Sequence, residues 1–255
     1  MENLKVIIPA AGRGTRMRPV SDLVPKEMWP FRGQPLIAWA IQEAMGAGIP
    51  ERDIIVVVRE GKELIVNYLQ DKFPKVQRVY QQHPLGLADA LASCAHLVGS
   101  ANFAMLIPDQ FIFSTPALTQ LVFAYRKKGD FGIVLSSIVK IPSQHRSLFP
   151  GTAKFSVSNL RGNVASVMGI LAEGQAGVYD EQDYQWRGFG RTIYPSEALK
   201  IFSGAPVNEK TKELDFRHAF LEITDRHPHH CVFLAGEAYD LGTLPGYNWA
   251  ISQAI

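Results

Sequence analysis

Only two cysteines occur among the 255 residues, Cys94 and Cys231, and they form no C-x-x-C pair. That scarcity excludes a disulfide framework and a zinc ribbon, and it suits two free thiols in a reducing compartment. Neither sign of charge is in surplus: 26 Lys and Arg face 24 Asp and Glu, a formal net charge of +2. A protein that coats nucleic acid would carry a stronger basic field, so nucleic acid is not an expected partner. No apolar run approaches the length that crosses a bilayer, and MENLKVIIPAAG lacks the basic segment and long apolar stretch of an export signal. The expectation is a cytoplasmic protein with no membrane partner. Internal repeats, heptads and low-complexity tracts are also missing, which excludes solenoids and coiled coils.

What is present suits a globular fold. Apolar residues make up 47% and charged residues 20%, enough material for a buried sheet. The length lies at the upper edge of what one core serves, so one domain over 1–255 is expected rather than two. The runs LKVIIP, DIIVVVRE, VQRVYQ, FAMLIPD and FGIVLSSIV are short, apolar and rich in β-branched residues, as strands buried on both faces are. Between them QPLIAWAIQEAMGAG, GKELIVNYLQDKF, LGLADALASCAHLV and TPALTQLVFAYRKKG repeat apolar residues at three- and four-residue spacing and predict helices. Gly46 and Gly48 follow the first as C-terminal caps, and Ser114-Thr115-Pro116 opens the last. The alternation predicts a doubly wound, mostly parallel α/β sheet. Beyond about residue 140 the pattern changes. A hairpin is expected around Asn159 to Asn163, a loop or flap over AEGQAGVYDEQDYQWRG, helices at ELDFRHAFLEITDR and after Pro245, and a strand at HHCVFLAG.

The first loop carries the chemistry. Residues 10 to 28 read AAGRGTRMRPVSDLVPKEM and follow the first strand directly. Glycines and cations in such number promise no contribution to a core, and they suit an anion. Gly12 and Gly14 let the backbone approach a ligand, Arg16 offers a planar fork for phosphate, and Lys26 offers a mobile point charge. The dinucleotide pattern G-x-G-x-x-G fails because Met17 holds its third position, and no Walker P-loop is present.

The whole string is more specific than its parts. Gly12 to Met28, GxGTRMxPxSxxxPKEM, resembles the signature of the sugar-phosphate nucleotidyltransferases, most closely the bacterial UTP:glucose-1-phosphate uridylyltransferases. The likeness continues in YQQHPLGLADAL, LIPDQ and YDLGTLPGY, and so runs along most of the chain. It implies a Rossmann-like, GT-A-like nucleotidyltransferase fold. The nucleotide-binding half would span 1–140, and a sugar-phosphate-binding half with a small antiparallel lobe about 141–255. The implied reaction joins a nucleoside triphosphate, by resemblance UTP, to a sugar 1-phosphate, by resemblance glucose 1-phosphate, and releases pyrophosphate. Carried over by motif, nucleotide contacts fall on Ala10, Ala11, Gly12, Gly14, Thr15, Arg16, Lys26, Gln81 and Gly86. Arg16, Lys26 and Asp109 become catalytic, Asp109 and Asp240 become ligands of Mg²⁺, and Gly151, Glu173 and Gly190 face the sugar. Magnesium prefers oxygen ligands, often one or two carboxylates plus substrate phosphates, so two aspartates at strand ends suit it. Taken singly, each aspartate fits a turn-capping role equally well.

The sequence departs from the family in the second half. Aligned without gaps, Ala172-Glu173-Gly174 stands at the family's Glu-Lys-Pro, and Leu244 stands where a second lysine is usual. An acid in place of a lysine beside a phosphate replaces attraction by repulsion. Lys154 is a candidate for replacement charge, and Gly190-Arg191, similar to the family's VGRY, is expected on the sugar-facing wall. Two other readings therefore stand beside transfer to glucose 1-phosphate: a nucleotide or sugar-nucleotide binder without turnover, and a transferase with a different phosphorylated acceptor. Oligomeric state stays open, a homo-oligomer included. The run RHPHH reads as a polar turn rather than a metal site, and Trp29, Trp39 and Trp249 as packing residues.

Overall fold

The computed structural model describes residues 4–129, 132–172 and 174–253. The first half contains strands β1 (Lys5–Pro9), β2 (Pro30–Phe31), β3 (Gln34–Pro35), β4 (Ile54–Val58), β5 (Gln77–Tyr80), β6 (Phe103–Leu106) and β7 (Gln110–Ile112). Its helices are α1 (Val20–Leu23), α2 (Leu36–Gly46), α3 (Glu63–Lys72), α4 (Gly86–Ala92), α5 (Ala95–Val98) and α6 (Ala117–Lys128). The second half adds β8 (Val134–Pro142), β9 (Phe155–Arg161), β10 (Val164–Ile170), β11 (Tyr184–Tyr194), β12 (His229–Phe233) and β13 (Ala238–Asp240). With them come α7 (Ala198–Ser203), α8 (Phe216–Arg226) and α9 (Leu244–Ser252).

A nine-stranded sheet in the order β5-β4-β1-β6-β11-β8-β12-β10-β9 forms the centre. Following the pairings along that order, only β11 and β10 run against the rest, so the sheet is mixed and mostly parallel, as expected. The period of two along each strand sorts side chains to opposite faces. Val6, Ile8, Ile54, Val56 and Val58 join α2, α3 and α6 in one cluster. Ile7, Ile55 and Val57 join α4, α7 and α8 in another. Helices thus cover both faces, which is why all five residues of IIVVV are buried and the strand reads as a continuous apolar run.

Several local expectations need correction. The final residues of AEGQAGVYDEQDYQWRG are not loop: β11 begins at Tyr184 and pairs antiparallel with β8 from Tyr184↔Pro142 onward. Its polar and aromatic residues lie in a half-buried stretch, which hid the strand period. The helix expected over LGLADALASCAHLV breaks at Ser93 and Cys94 into α4 and α5. There the Ser93 hydroxyl donates back to the Ala90 carbonyl at 2.8 Å, a local bond that competes with helix continuation. Pro116 itself occupies the cap position of α6, with no side-chain cap from Ser114 or Thr115. His229 and His230 belong to β12 rather than to a turn. His229 is buried, and burial pushes its pKa down to about 3. Both cysteines are buried free thiols. Among the described residues no helix is long and apolar enough to cross a membrane.

Candidate active site

Strands β5, β4, β1 and β6 are mutually parallel, so the segments that leave them emerge at one edge, where open α/β sheets hold ligands. After β1 the chain is fixed at once: the Ala10 N–H donates to the Val57 carbonyl at 2.8 Å, and the Ala11 carbonyl accepts from Arg59 Nε at 2.9 Å. Gly14 adopts φ +66°, where a side chain is strained, and a Cβ there would crowd Ser21 Cβ at 3.0 Å, so the turn favours glycine. At Gly12 a Cβ would meet nothing within 4 Å, leaving the approach to its backbone clear. Thr15 and Arg16 form an exposed turn, and the Arg16 guanidinium has no described protein partner.

This loop does have a core to fill, contrary to expectation. Met17 and Trp29 are buried with Leu36, Phe111, Tyr239 and Leu241 in a third apolar cluster, and Leu244 packs against it. The leucine at the place of the family's second lysine therefore belongs to the loop's foundation. Glu27 is also internal, paired with Lys62 at 2.8 Å where α3 begins. Apolar anchors and this buried pair fix the segment from which Lys26 projects. Trp39 and Trp249 are partly buried against the same cluster, in the packing role expected of them.

The two aspartates meet because the short strands β7 and β13 pair, with Asp240 opposite Gln110. A point where Gly242 would carry a Cβ lies 2.6 Å from Asp109 Oδ2 and 3.1 Å from Asp240 Oδ1, so both carboxylates converge there. The Lys26 ammonium donates to Asp109 Oδ2. Burial raises the pKa of Asp109, but the charge and hydrogen bond of Lys26 and the charge of Arg16 outweigh it, leaving the group below its usual range. Burial and then the charge of Asp109 push Asp240 up to about 6. Burial likewise opposes the charge on Lys26, and Asp109 and Glu27 overcome it, raising its pKa. Two adjacent buried carboxylates, of which Asp109 is held by Lys26, form a site that gains from further positive charge.

Among the described residues no group of three or more His, Cys, Asp or Glu could hold a metal. Two carboxylates alone suit a hard cation that takes its remaining ligands from substrate oxygens, and do not suit zinc. The donor chemistry therefore fits the magnesium expected from the sequence.

Gln110, which sequence reasoning passed over although it adjoins Asp109 in LIPDQ, joins this pair to the second half. Its Nε2 donates to Asp240 Oδ2 at 2.7 Å, and its Oε1 accepts from the Gly190 N–H at 2.7 Å. A Cβ on Gly190 would lie 2.6 Å from Ile107 Cβ, so β11 approaches this loop as only glycine permits. Arg191 does not face the sugar side. It is fully buried, paired with Glu43 at 2.6 Å, and donates to the Ile107 carbonyl at 2.8 Å and to the Gln110 carbonyl at 2.5 Å. It braces the Asp109 loop from behind.

Gln81 and Gly86 stand at the neighbouring strand end. Gln81 Nε2 donates to the Gly86 carbonyl at 3.0 Å and to Asp89 Oδ2 at 2.6 Å. That fixes the amide and leaves Oε1 as an acceptor. Glu213 covers one side of Gly86, whose Cβ would fall 2.7 Å from Glu213 Oε2. On the other side of Gln110 lies a cavity of about 480 Å³, lined among others by Gly151, Lys154, Ala172, Arg187, Gly190 and Arg217. Of the residues expected to face a sugar, Gly151 and Gly190 line it, and Glu173 lies outside the described residues. Lys154 is not available as replacement charge: its ammonium is held by Asp180 Oδ2 at 2.5 Å and by the Gln175 carbonyl at 2.9 Å.

Gly242 supports a direct test. Gly242→Ala forces the carboxylates of Asp109 and Asp240 apart, and displacements of about 1 Å at a reacting centre cost on the order of a hundredfold in rate. The expected outcome is a loss of that size in kcat with little change in thermal unfolding, checked by steady-state kinetics beside calorimetry.

Comparison with known proteins agrees with this geometry. A family model described as nucleotidyl transferase matches residues 5–164. UTP–glucose-1-phosphate uridylyltransferase YngB of Bacillus subtilis is 27% identical, the match covering 93% of this chain and 84% of that protein. A uridylyltransferase of the same name from Staphylococcus epidermidis is 28% identical over 77% of this chain and 80% of its own length. A putative uridylyltransferase of Bacillus subtilis is 35% identical, but there the chain spans only 53% of the relative's length. Among solved structures, a UDP-glucose pyrophosphorylase complexed with UDP-glucose superposes with a TM-score of 0.81 at 23% identity, covering 100% of this chain and 98% of that one. A UTP-bound UGPase from Acinetobacter baumannii gives 0.79 at 23% identity, with 100% and 93% covered. At that identity the likeness establishes the fold.

Proposed function

Because the chain belongs to the nucleotidyl transferase family, we propose that it joins UTP to a sugar 1-phosphate, glucose 1-phosphate in the first instance, with release of pyrophosphate. The observation that carries this reading is the convergence of Lys26, Asp109 and Asp240, with unpartnered Arg16 acting on all three. The names of the relatives point to the same reaction.

The reaction needs no protein nucleophile. An oxygen of the sugar phosphate attacks the α-phosphorus in line, a new P–O bond forms, and the bond from the α-phosphorus to the oxygen that bridges it to the β-phosphorus breaks, that oxygen leaving with pyrophosphate. Positioning and charge stabilisation supply the acceleration. Lys26 neutralises charge on the α-phosphate, and Arg16, free and exposed, holds the departing pyrophosphate. Asp109 and Asp240 would hold Mg²⁺, which when bound supplies charge to phosphate oxygens and brings donor and acceptor together. Ala10, Ala11, Gly12, Gly14 and Thr15 line the approach to the nucleotide.

Gln81 favours the base. With Nε2 committed to Gly86 and Asp89, its Oε1 accepts from a ring N–H. Uracil and thymine offer that donor at N3, whereas cytosine presents an acceptor there, and a mismatched acceptor pair leaves both groups unsatisfied. The cavity beyond Gln110 receives the sugar.

The test is a pyrophosphate-release assay with Mg²⁺ across UTP, dTTP, CTP and GTP and several sugar 1-phosphates. Release with UTP and a hexose 1-phosphate is the expected result. Tight UTP binding without release in any combination would establish a non-catalytic binder instead.

A further inference from the structure

The acceptor cavity holds cations in places that the reacting phosphate does not need. Its end toward Asp240 is formed by Gln110 and Gly190. Three basic side chains, Lys154, Arg187 and Arg217, line the remainder, and no described Asp or Glu does. Lys154 is matched by Asp180 and serves the wall. Arg187, only 8% exposed, has its guanidinium held by Gln185 Oε1 at 3.0 Å and by the Thr152 carbonyl at 3.4 Å. It lies three residues from Gly190 on β11, roughly 10 Å at the rise of a strand. Its bond to Gln185 directs it further from the Gln110 end.

Arg217 differs from both. It is the second residue of α8, it is exposed, and its guanidinium has no described protein acceptor, yet it borders the cavity. Its neighbour on the same cavity wall, Phe220, packs on Phe155 and His229. A neutral hydroxylated ring gives such a side chain only weak hydrogen bonds. An anion gives it a charge-assisted, planar pairing of about twice the strength.

The geometry points to an acceptor with a second acidic group remote from the reacting phosphate, a uronic acid 1-phosphate in chemical class, whose carboxylate Arg217 binds with Arg187 in the adjoining wall. This rests on the transferase reading above and narrows its acceptor. Arg217 acts as a specificity residue.

Isothermal calorimetry on the intact chain with Mg²⁺ tests it without turnover, using UTP, UDP-glucose and UDP-glucuronate as probes. The expected result is that UDP-glucuronate binds about tenfold more tightly than UDP-glucose, that Arg217→Ala removes the preference, and that Arg217→Lys restores part of it. UTP affinity of each variant is measured alongside as the reference, and the effect is read as the ratio of the two UDP-sugar affinities. Equal or tighter binding of UDP-glucose by the wild type, or a preference that survives Arg217→Ala, would overturn the inference while UTP binding left the transferase reading in place. Failure of UTP itself to bind would overturn both.

Discussion

Lys26→Ala is expected to lower kcat/KM for nucleotide-sugar formation by about a hundred- to a thousandfold, the size seen when a preorganised donor to developing charge is removed. The reason lies in what Lys26 touches. Its ammonium rests on Asp109, and the carboxylates of Asp109 and Asp240 converge on one point, so in the proposed reaction the lysine would stand where phosphate, carboxylates and metal balance. Removing it leaves two buried acids facing each other, with Arg16 still acting on both. The fold survives, because the loop is held by Met17, Trp29 and the Glu27–Lys62 pair rather than by Lys26. Asp109→Ala is expected to be at least as damaging. Kinetics in the pyrophosphorolysis direction, beside thermal unfolding of each variant, checks both, and full activity in either would remove that residue from the mechanism.

The largest stability effect is expected at Arg191. Arg191→Ala should destabilise the protein by about 3–5 kcal/mol, since breaking a buried ion pair leaves its partner charged and unpaired. Here Glu43 would be stranded, with the Leu118 N–H at 2.7 Å the only donor left to it among the described residues. The same substitution frees the Ile107 and Gln110 carbonyls, so the Asp109 loop loses its brace and turnover falls in the protein that remains folded. Urea denaturation measures the first effect. A loss below about 1 kcal/mol would show that the pair contributes no more than an exposed one does.

The parts of this molecule that were legible in the sequence are those with a local cause. The strands β1, β4 and β6 are buried on both faces and read as continuous apolar runs. The Gly12 to Met28 string, LIPDQ and YDLGTLPGY were legible as motifs, and the structure brings Lys26, Asp109 and Asp240 together. What escaped notice depends on distant partners. Arg191 and Glu43 stand 148 positions apart, and nothing around either marks the pair, so a buried brace was taken for a sugar-side residue. The start of β11 is stabilised by pairing with β8 rather than by its own composition. Met17 looked like a loop residue because Tyr239 and Leu241, which complete its cluster, come from β13 and its end. Lys154 looked free because Asp180 lies in the segment read as irregular.

The central claim, that the loop from Gly12 to Lys26 and the acids Asp109 and Asp240 together enclose a magnesium-bound nucleoside triphosphate, is tested most directly by calorimetric titration of UTP with Mg²⁺ and with EDTA. The account predicts saturable binding that weakens by about tenfold or more when the metal is withheld, and a metal dependence that disappears in Asp240→Asn. Equal affinity in both buffers, or an unaltered metal dependence in Asp240→Asn, would contradict it.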